Sequence, residues 1–320
     1  MSYEKQCPPF TVTRKISRLT DEIVALTTRI DPDSIDERKS FIESIRGTLA
    51  IEGNPLDETQ IAAVLDGSDV EATPTDLLEV KGAIAAYKMI RKWQPHKEKD
   101  IMKAHELLTE GLLDNSGTYR ERGTGVRTGK KYVHVAPQAP KVPGLMKDLM
   151  SWLKLEEEHP LITSAIFHYE FEFIHPFTDG NGRMGRLWHT VILSHWNPIF
   201  AKIPIEKFIF ARRSDYYEAL RESSMEVDSY PLIEFLLEVT LEAVSSFVSK
   251  PQIQLPAEVE RLLSVLQTEL SIGELQDKLG VADRRTFKKR YLAPALELKV
   301  VELTLPDKPK SRLQKYRKVL

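Results

Sequence analysis

Apolar residues recur at helical spacing almost from end to end of this chain, and that habit limits the fold more than any other feature. Phe41, Ile42, Ile45 and Leu49 share one helical face, as do Leu107, Leu108, Leu112 and Leu113. Strand-like alternation is scarce. Its clearest instance is YVHV, Tyr132 to Val135, preceded by GKK and followed by APQAP, which reads as a short hairpin. A second short strand pair is expected near Lys299–Leu305. The expected fold is therefore mostly α.

At 320 residues the chain is long for one core, so two or three domains are expected. The charged, proline-holding stretch Arg91–Asp100 and the linker-like Ser249–Val259 suggest the cuts. They give an N-terminal helical region over 1–95, a core over 96–250 and a tail over 257–320. Formal net charge is -2, so no global field draws the chain to nucleic acid or membrane. Cys7 is the sole cysteine, which excludes a disulfide framework and suits a reducing compartment. The first residues lack the apolar core of a signal peptide. The most apolar stretch, PLIEFLLEVTLEAVSSFV, is interrupted by Glu234, Glu238 and Glu242. A soluble, cytoplasmic protein is expected.

One short stretch concentrates polar chemistry: HPFTDGNGR, His175 to Arg183. The run before it has helical spacing, and Pro176 disfavours helical geometry at His175, so a helix should stop there. Helical spacing resumes through Leu187, Trp188, Val191 and Ile192. The stretch is thus a loop that opens a helix, where unpaired N–H groups and a partial positive charge bind anions. Gly180 and Gly182 let a phosphate approach the backbone. Arg183 and Arg186, three apart, share a face and suit a polyphosphate. Asp179 is the lone carboxylate of the loop, the usual way to hold Mg²⁺ beside phosphates. His175 is the residue able to take a proton near neutral pH. Each residue alone reads as a turn or cap; together they describe phosphate-ester chemistry.

The stretch HPFTDGNGRMGR resembles, at every defining position, the signature of the Fic family. The resemblance implies a helical Fic core and transfer of AMP from ATP to a hydroxyl of a target protein. It implies His175 as general base, Asp179 as the Mg²⁺ ligand, and Asn181 with the backbone of Gly180 and Gly182 as phosphate holders. Arg183 would steady the α- and β-phosphates and Arg186 the γ-phosphate, with Phe177 anchoring the loop. KKYVHVAPQAP looks like the family's flap, so Tyr132, Val133, His134 and Val135 would clamp the target by strand addition. RSDYYEAL resembles the adenine-side segment, with Tyr216 and Tyr217 as nucleoside contacts; helix packing is the competing reading for both. Relatives often carry an asparagine where this chain has Ser224, a departure that bears on the adenine contacts. A homodimer is a further expectation of the resemblance.

TLAIEGN, Thr48 to Asn54, closes a helix: Gly53 terminates it and Pro55 prevents resumption. A glutamate in the last turn opposes the helix dipole at a cost of a few tenths of a kcal/mol. The segment is similar to the family's inhibitory element, which implies that Glu52 sets its carboxylate against Arg186.

The tail reads as two helices joined by a Gly-containing turn, then a wing, the pattern of a winged helix-turn-helix. From Ala257 onward, 14 Lys/Arg against 9 Asp/Glu leave about +5. Arg284, Arg285, Lys288 and Lys289 fall on the second helix, where a major-groove reader carries them. Protein contact is favoured over DNA binding for this module. GTGVRTGKK invites a phosphate-loop reading, but its spacing is one residue short and Lys131 replaces the required Ser or Thr. His105, His168, His189 and His195 lie in helical patterns without metal-ligand pairing, so core or capping roles are expected. The leading expectation is a self-inhibited adenylyltransferase acting on target proteins and on itself. The rivals are removal of AMP at the same site and a nucleotide-sensing, DNA-binding regulator.

Overall fold

The first helices begin where a side chain can satisfy their unpaired amides. Thr13 caps α1 (Arg14–Thr27), Asp36 caps α2 (Glu37–Ile51), and Asp57 with Gln60 forms a capping box on α3 (Glu58–Leu65). Thr73 caps α4 (Pro74–Tyr87), whose proline stands in the first turn, where its missing N–H costs nothing. α5 (Glu98–Thr109) follows. A hairpin of β1 (Gly125–Thr128) and β2 (Lys131–Val135) separates it from α6 (Val142–Leu153). Then come α7 (Pro160–Ile174), α8 (Asn181–Trp196), α9 (Ile205–Ala211), α10 (Arg213–Glu226) and α11 (Tyr230–Phe247). This computed structural model describes residues 8–123, 125–128, 131–155, 157–248, 255–309 and 311–319, with the backbone alone over 125–128 and 131–135. Cys7 lies outside the described residues.

Residues 1–249 form one compact unit. The stretch 91–100 therefore separates segments of sequence, not bodies: α1 lies along α11 and α2 along α9, so the N-terminal helices complete the core instead of forming their own. α7 and α8 are the central pair. α7 is buried along most of its length, and Phe167, Phe171, Leu187, Trp188 and Val191 are fully buried. Each such side chain contributes about 1.5–3 kcal/mol of transfer free energy, so the pair is a rigid support for the loop between them. α2 approaches α9 with backbone nearly touching backbone. A Cβ on Gly47 would stand 2.5 Å from the Glu206 carbonyl carbon, so glycine is needed there in mid-helix. That close approach sets where the end of α2 falls.

Residues 250–320 form a second unit with its own core of Val259, Leu262, Leu275, Phe287, Tyr291 and Val301. Its order is α12 (Ala257–Val265), α13 (Ile272–Leu279) and α14 (Arg284–Phe287), the last running on through a π-type turn, Lys288–Leu292, into α15 (Ala293–Glu297). The antiparallel pair β3 (Val301–Leu303) and β4 (Tyr316–Lys318) closes it, and an isolated antiparallel bridge joins Leu270 to Tyr316. The strand expected near Lys299–Leu305 is β3, and its partner comes from the chain's end. Among the described residues no helix is long and apolar enough to cross a membrane.

Candidate functional site

The site is the loop between α7 and α8. α7 ends at Ile174, and His175 takes a left-handed conformation (φ 49°, ψ 61°) that a non-glycine residue holds only when its surroundings impose it. Arg120 imposes it. Its buried guanidinium donates from Nε to the His175 carbonyl (2.7 Å) and from Nη2 to the carbonyls of Ile174 (3.3 Å) and Pro137 (2.5 Å). Its backbone N–H reaches the Pro176 carbonyl. One side chain thus ties His175 to the foot of the hairpin.

The loop is also fastened from within. The Asn181 side chain accepts from the Phe177 N–H and donates to the Phe177 carbonyl, both at 2.9 Å. Phe177 is fully buried and stacks on His105, ring centroids 3.7 Å apart. The Gly117 N–H donates to His105 Nδ1 (2.9 Å), so the proton is on Nε2, which donates to the Asp179 carbonyl (3.0 Å). Burial drives His105 down to about 4, so it is neutral at ordinary pH. His105 is a core residue, as its helical setting suggested, and its task is to hold the loop.

Gly180 (φ 78°) turns the chain into α8, whose first intrahelical bond runs from the Met184 N–H to the Gly180 carbonyl. The N–H groups of Asn181, Gly182 and Arg183 are therefore outside the helical ladder, as an anion cradle requires. Asp179 points outward with its side chain 69% exposed. One of its oxygens accepts from the Gly180 N–H (2.7 Å), and the other is 3.8 Å from Arg183.

Both arginines are buried and both meet a carboxylate. Arg183 Nη1 is 3.2 Å from Glu79 on α4, whose other oxygen accepts from Asn54 (2.8 Å). Arg186, 1% exposed, donates from Nη2 to Glu52 (2.6 Å) and to the Thr48 carbonyl (3.0 Å), and from Nε to the Thr48 hydroxyl (3.0 Å). Burial lowers the Arg186 pKa, but the Glu52 carboxylate beside it more than offsets this and holds it above the ordinary value. The Glu52 carboxylate lies directly over the cradle: a Cβ on Gly182 would meet Glu52 Oε1 at 2.5 Å. An anion supplied by this chain sits at the mouth of α8.

The two tyrosines of α10 part company. Tyr216 is 1% exposed, bonded through its hydroxyl to His168 (2.8 Å) and packed on Phe235, the arrangement of the helix-packing reading. Tyr217 stays at the surface and its hydroxyl donates to the Ile51 carbonyl (3.3 Å) at the end of α2. Ser224 donates back to Leu220 within α10. The hairpin pairs Val126 with His134 and Arg127 with Tyr132, with an irregularity at Val126/Arg127. The side chains of Tyr132, Val133, His134 and Val135 lie outside the described set. Gly125–Thr128 is strand, which removes the phosphate-loop reading of that stretch. Sequence reading missed Glu79, Arg120 and Glu172, and named Thr48 only as the start of the TLAIEGN stretch.

The profile of the Fic/DOC family matches residues 95–193, and that of the Filamentation induced by cAMP protein Fic-like C-terminal domain matches 257–318. A solved structure of a Fic family protein from Desulfovibrio desulfuricans G20 is 42% identical, with a TM-score of 0.73 over 98% of each chain. The chain belongs to the Fic family. Curated relatives include the protein adenylyltransferase Fic of Aedes aegypti, 29% identical over 224 residues, covering 64% of this chain and 41% of that one. Protein adenylyltransferase fic-1 of Caenorhabditis elegans is 29% identical over 223 residues, 66% of this chain and 42% of that one. This Fic chain thus spans between about two fifths and just over half of the length of the curated relatives it matches. The solved Fic-1 fragment from C. elegans shares the fold (23% identical, TM-score 0.62, 73% of this chain and 71% of that one). The Fic match covers both arginines and the loop, whereas Glu52 and Glu79 lie before it.

Proposed function

We propose that this Fic protein transfers AMP from ATP to a hydroxyl side chain (Ser, Thr or Tyr) of target proteins and of itself, and that Glu52 holds it in check. The carrying observation is the Glu52 carboxylate on Arg186 and over Gly182, an internal anion in the seat that a phosphate needs. In this reading the N–H groups at the start of α8 and the backbone of Gly180 and Gly182 receive the phosphates. Asn181 serves through its backbone, since its side chain is committed to Phe177. Arg183 faces the α- and β-phosphates and Arg186 the γ-phosphate. His175 takes the proton of the attacking hydroxyl, and Tyr217 is the candidate nucleoside contact. A lone outward carboxylate next to a phosphate cradle fits Mg²⁺, so Asp179 would hold the ion, which supplies charge neutralisation on the leaving diphosphate.

The test uses ATP labelled at the α-phosphate and, in parallel, at the γ-phosphate. Glu52→Gly protein is expected to take up α-label into protein, and His175→Ala in that background to lose uptake while binding ATP as before. Uptake of γ-label instead would overturn the reading. So would undiminished labelling by the His175→Ala variant.

A second reading attaches to the C-terminal unit. Arg284, Arg285, Lys288 and Lys289 are exposed on one helix, and none has a carboxylate partner among the described residues, whereas the neighbouring Arg290 pairs with Glu258. Four exposed cations without carboxylate partners among the described residues fit a polyanion such as duplex DNA. Binding of the full chain to a random-sequence duplex should weaken steeply with salt. A flat salt slope, or unchanged binding by the Arg285→Glu/Lys289→Glu variant, would return the unit to protein contact.

A further inference from the structure

One buried carboxylate beside the site has no task in the mechanism above. Glu172 lies one turn before His175 on α7, and its Oε2 is 3.9 Å from His175 Nδ1. Its Oε1 is buried without a hydrogen-bond partner. Gly185 on α8 faces it so closely that a Cβ there would stand 3.1 Å from Oε1. Among the described residues, Arg186 on α8, Glu52 at the end of α2, and Tyr216 and Tyr217 on α10 act on it electrostatically, and His168 on α7 lies against the same glycine. Burial pushes the Glu172 carboxyl up to about 7, with Glu52 pushing the same way and Arg186 pulling it down. A glutamate that only filled this space would be costly to keep, because an unpartnered buried polar atom carries a desolvation penalty that an apolar or amide side chain avoids.

We propose that Glu172 is a positioning residue: its carboxylate accepts the Nδ1 proton of His175, leaving Nε2 unprotonated towards the target hydroxyl. The proposal rests on the AMP-transfer reading. The present 3.9 Å separation closes to hydrogen-bond length by a shift of about 1 Å, and catalytic contacts of this kind are commonly long before substrate arrives. In the step itself the target oxygen bonds to the α-phosphorus and its proton passes to His175 Nε2. The bond from the α-phosphorus to the bridging oxygen breaks, and diphosphate leaves with that electron pair. The imidazolium so formed has an opposite charge at its other nitrogen, as a base-and-carboxylate pair requires. Arg120 fixes the His175 backbone from one side, and Glu172 fixes the ring from the other.

The experiment compares Glu172→Gln and Glu172→Met, both made in Glu52→Gly protein. We expect kcat for self-labelling to fall about 10-fold for Gln, whose amide oxygen still accepts the Nδ1 proton, and about 100-fold for Met. KM for ATP is expected to stay within about twofold, because the phosphates meet other residues. A second measurement is independent of activity: ¹⁵N-histidine NMR of the Glu52→Gly protein. Above the pH at which Glu172 ionises, it should show His175 as the Nδ1–H tautomer, with its titration moved down about one unit in the Gln variant. Parental kcat in the Gln variant, or kcat lost only together with ATP binding, would overturn the proposal. An Nε2–H tautomer or an unmoved titration would overturn it too. Absence of labelling by the Glu52→Gly parent would sink the transfer reading instead, and the NMR arm would still decide the Glu172–His175 contact.

Discussion

Replacing Glu52 by glycine perturbs one contact whose geometry allows the outcome to be sized. Arg186 donates three bonds, one to Glu52 and two to Thr48. The variant removes the shortest and leaves the Thr48 pair, so the guanidinium keeps its place. A charge-assisted bond contributes roughly 1.5–3 kcal/mol. Glu52 is 35% exposed, which puts the pair near the lower end. A γ-phosphate that must displace this carboxylate is therefore disfavoured by about 1.5 kcal/mol, close to tenfold in productive binding. If ATP instead binds beside Glu52 with its phosphates shifted, misalignment costs up to a further ~10²-fold in rate. Labelling should thus rise between about 10-fold and about 10³-fold.

The same change costs stability. Loss of the ion pair plus the freedom of a glycine amounts to about 2 kcal/mol, or roughly 4–8 °C in the unfolding of a unit this size. ATP should restore more of that loss in Glu52→Gly than it adds to wild type, because its γ-phosphate replaces the missing anion. The assay is self-labelling by wild type, Glu52→Gly, Arg186→Gly and the double variant, with thermal unfolding run beside it. The gain must vanish when Arg186 is also lost. Equal labelling by wild type and Glu52→Gly, with bound ATP shown in both, refutes the reasoning.

Gly182→Ala in the Glu52→Gly background should cut labelling by about 10-fold or more, because its Cβ fills the spot that Glu52 Oε1 occupies and a phosphate would take; undiminished labelling in a kinetic assay would place the phosphates elsewhere. His105→Gln should flatten the acid side of the stability profile. Burial holds folded His105 at about 4 against an ordinary 6.5, so between those values the unfolded chain binds the extra proton and stability falls as pH falls. Denaturant titrations should show the wild-type advantage shrinking by up to ~3 kcal/mol from pH 6.5 to pH 4, and an advantage independent of pH would contradict the assigned burial of a neutral ring.

Whatever depends on neighbours in sequence could be read from the sequence. His175, the loop carboxylate, the glycines and both arginines fall within twelve consecutive residues, and Pro176 and the glycines announce the stop and restart of helix on either side. Gly53 and Pro55 likewise mark where α2 ends, which places Glu52 at a helix terminus. Periodicity then fixed the class as mostly α. It gives the face of a helix, though, and not what that face meets. Glu52 finds Arg186 across 134 positions because Gly47 lets α2 lie against α9. Glu79 finds Arg183, and Glu172 comes to stand against Gly185, through packing that no local pattern records. Tyr216 and Tyr217 show the limit most simply. They are adjacent and chemically identical, yet a helix turns about 100° from one residue to the next. The fold of α10 against α7 and α11 buries the first against His168 and Phe235 and leaves the second at the surface over the end of α2. Residue type and spacing decided which groups the chain possesses, whereas burial, and with it the pairing of every charge in the site, was decided by which helices the core brought together.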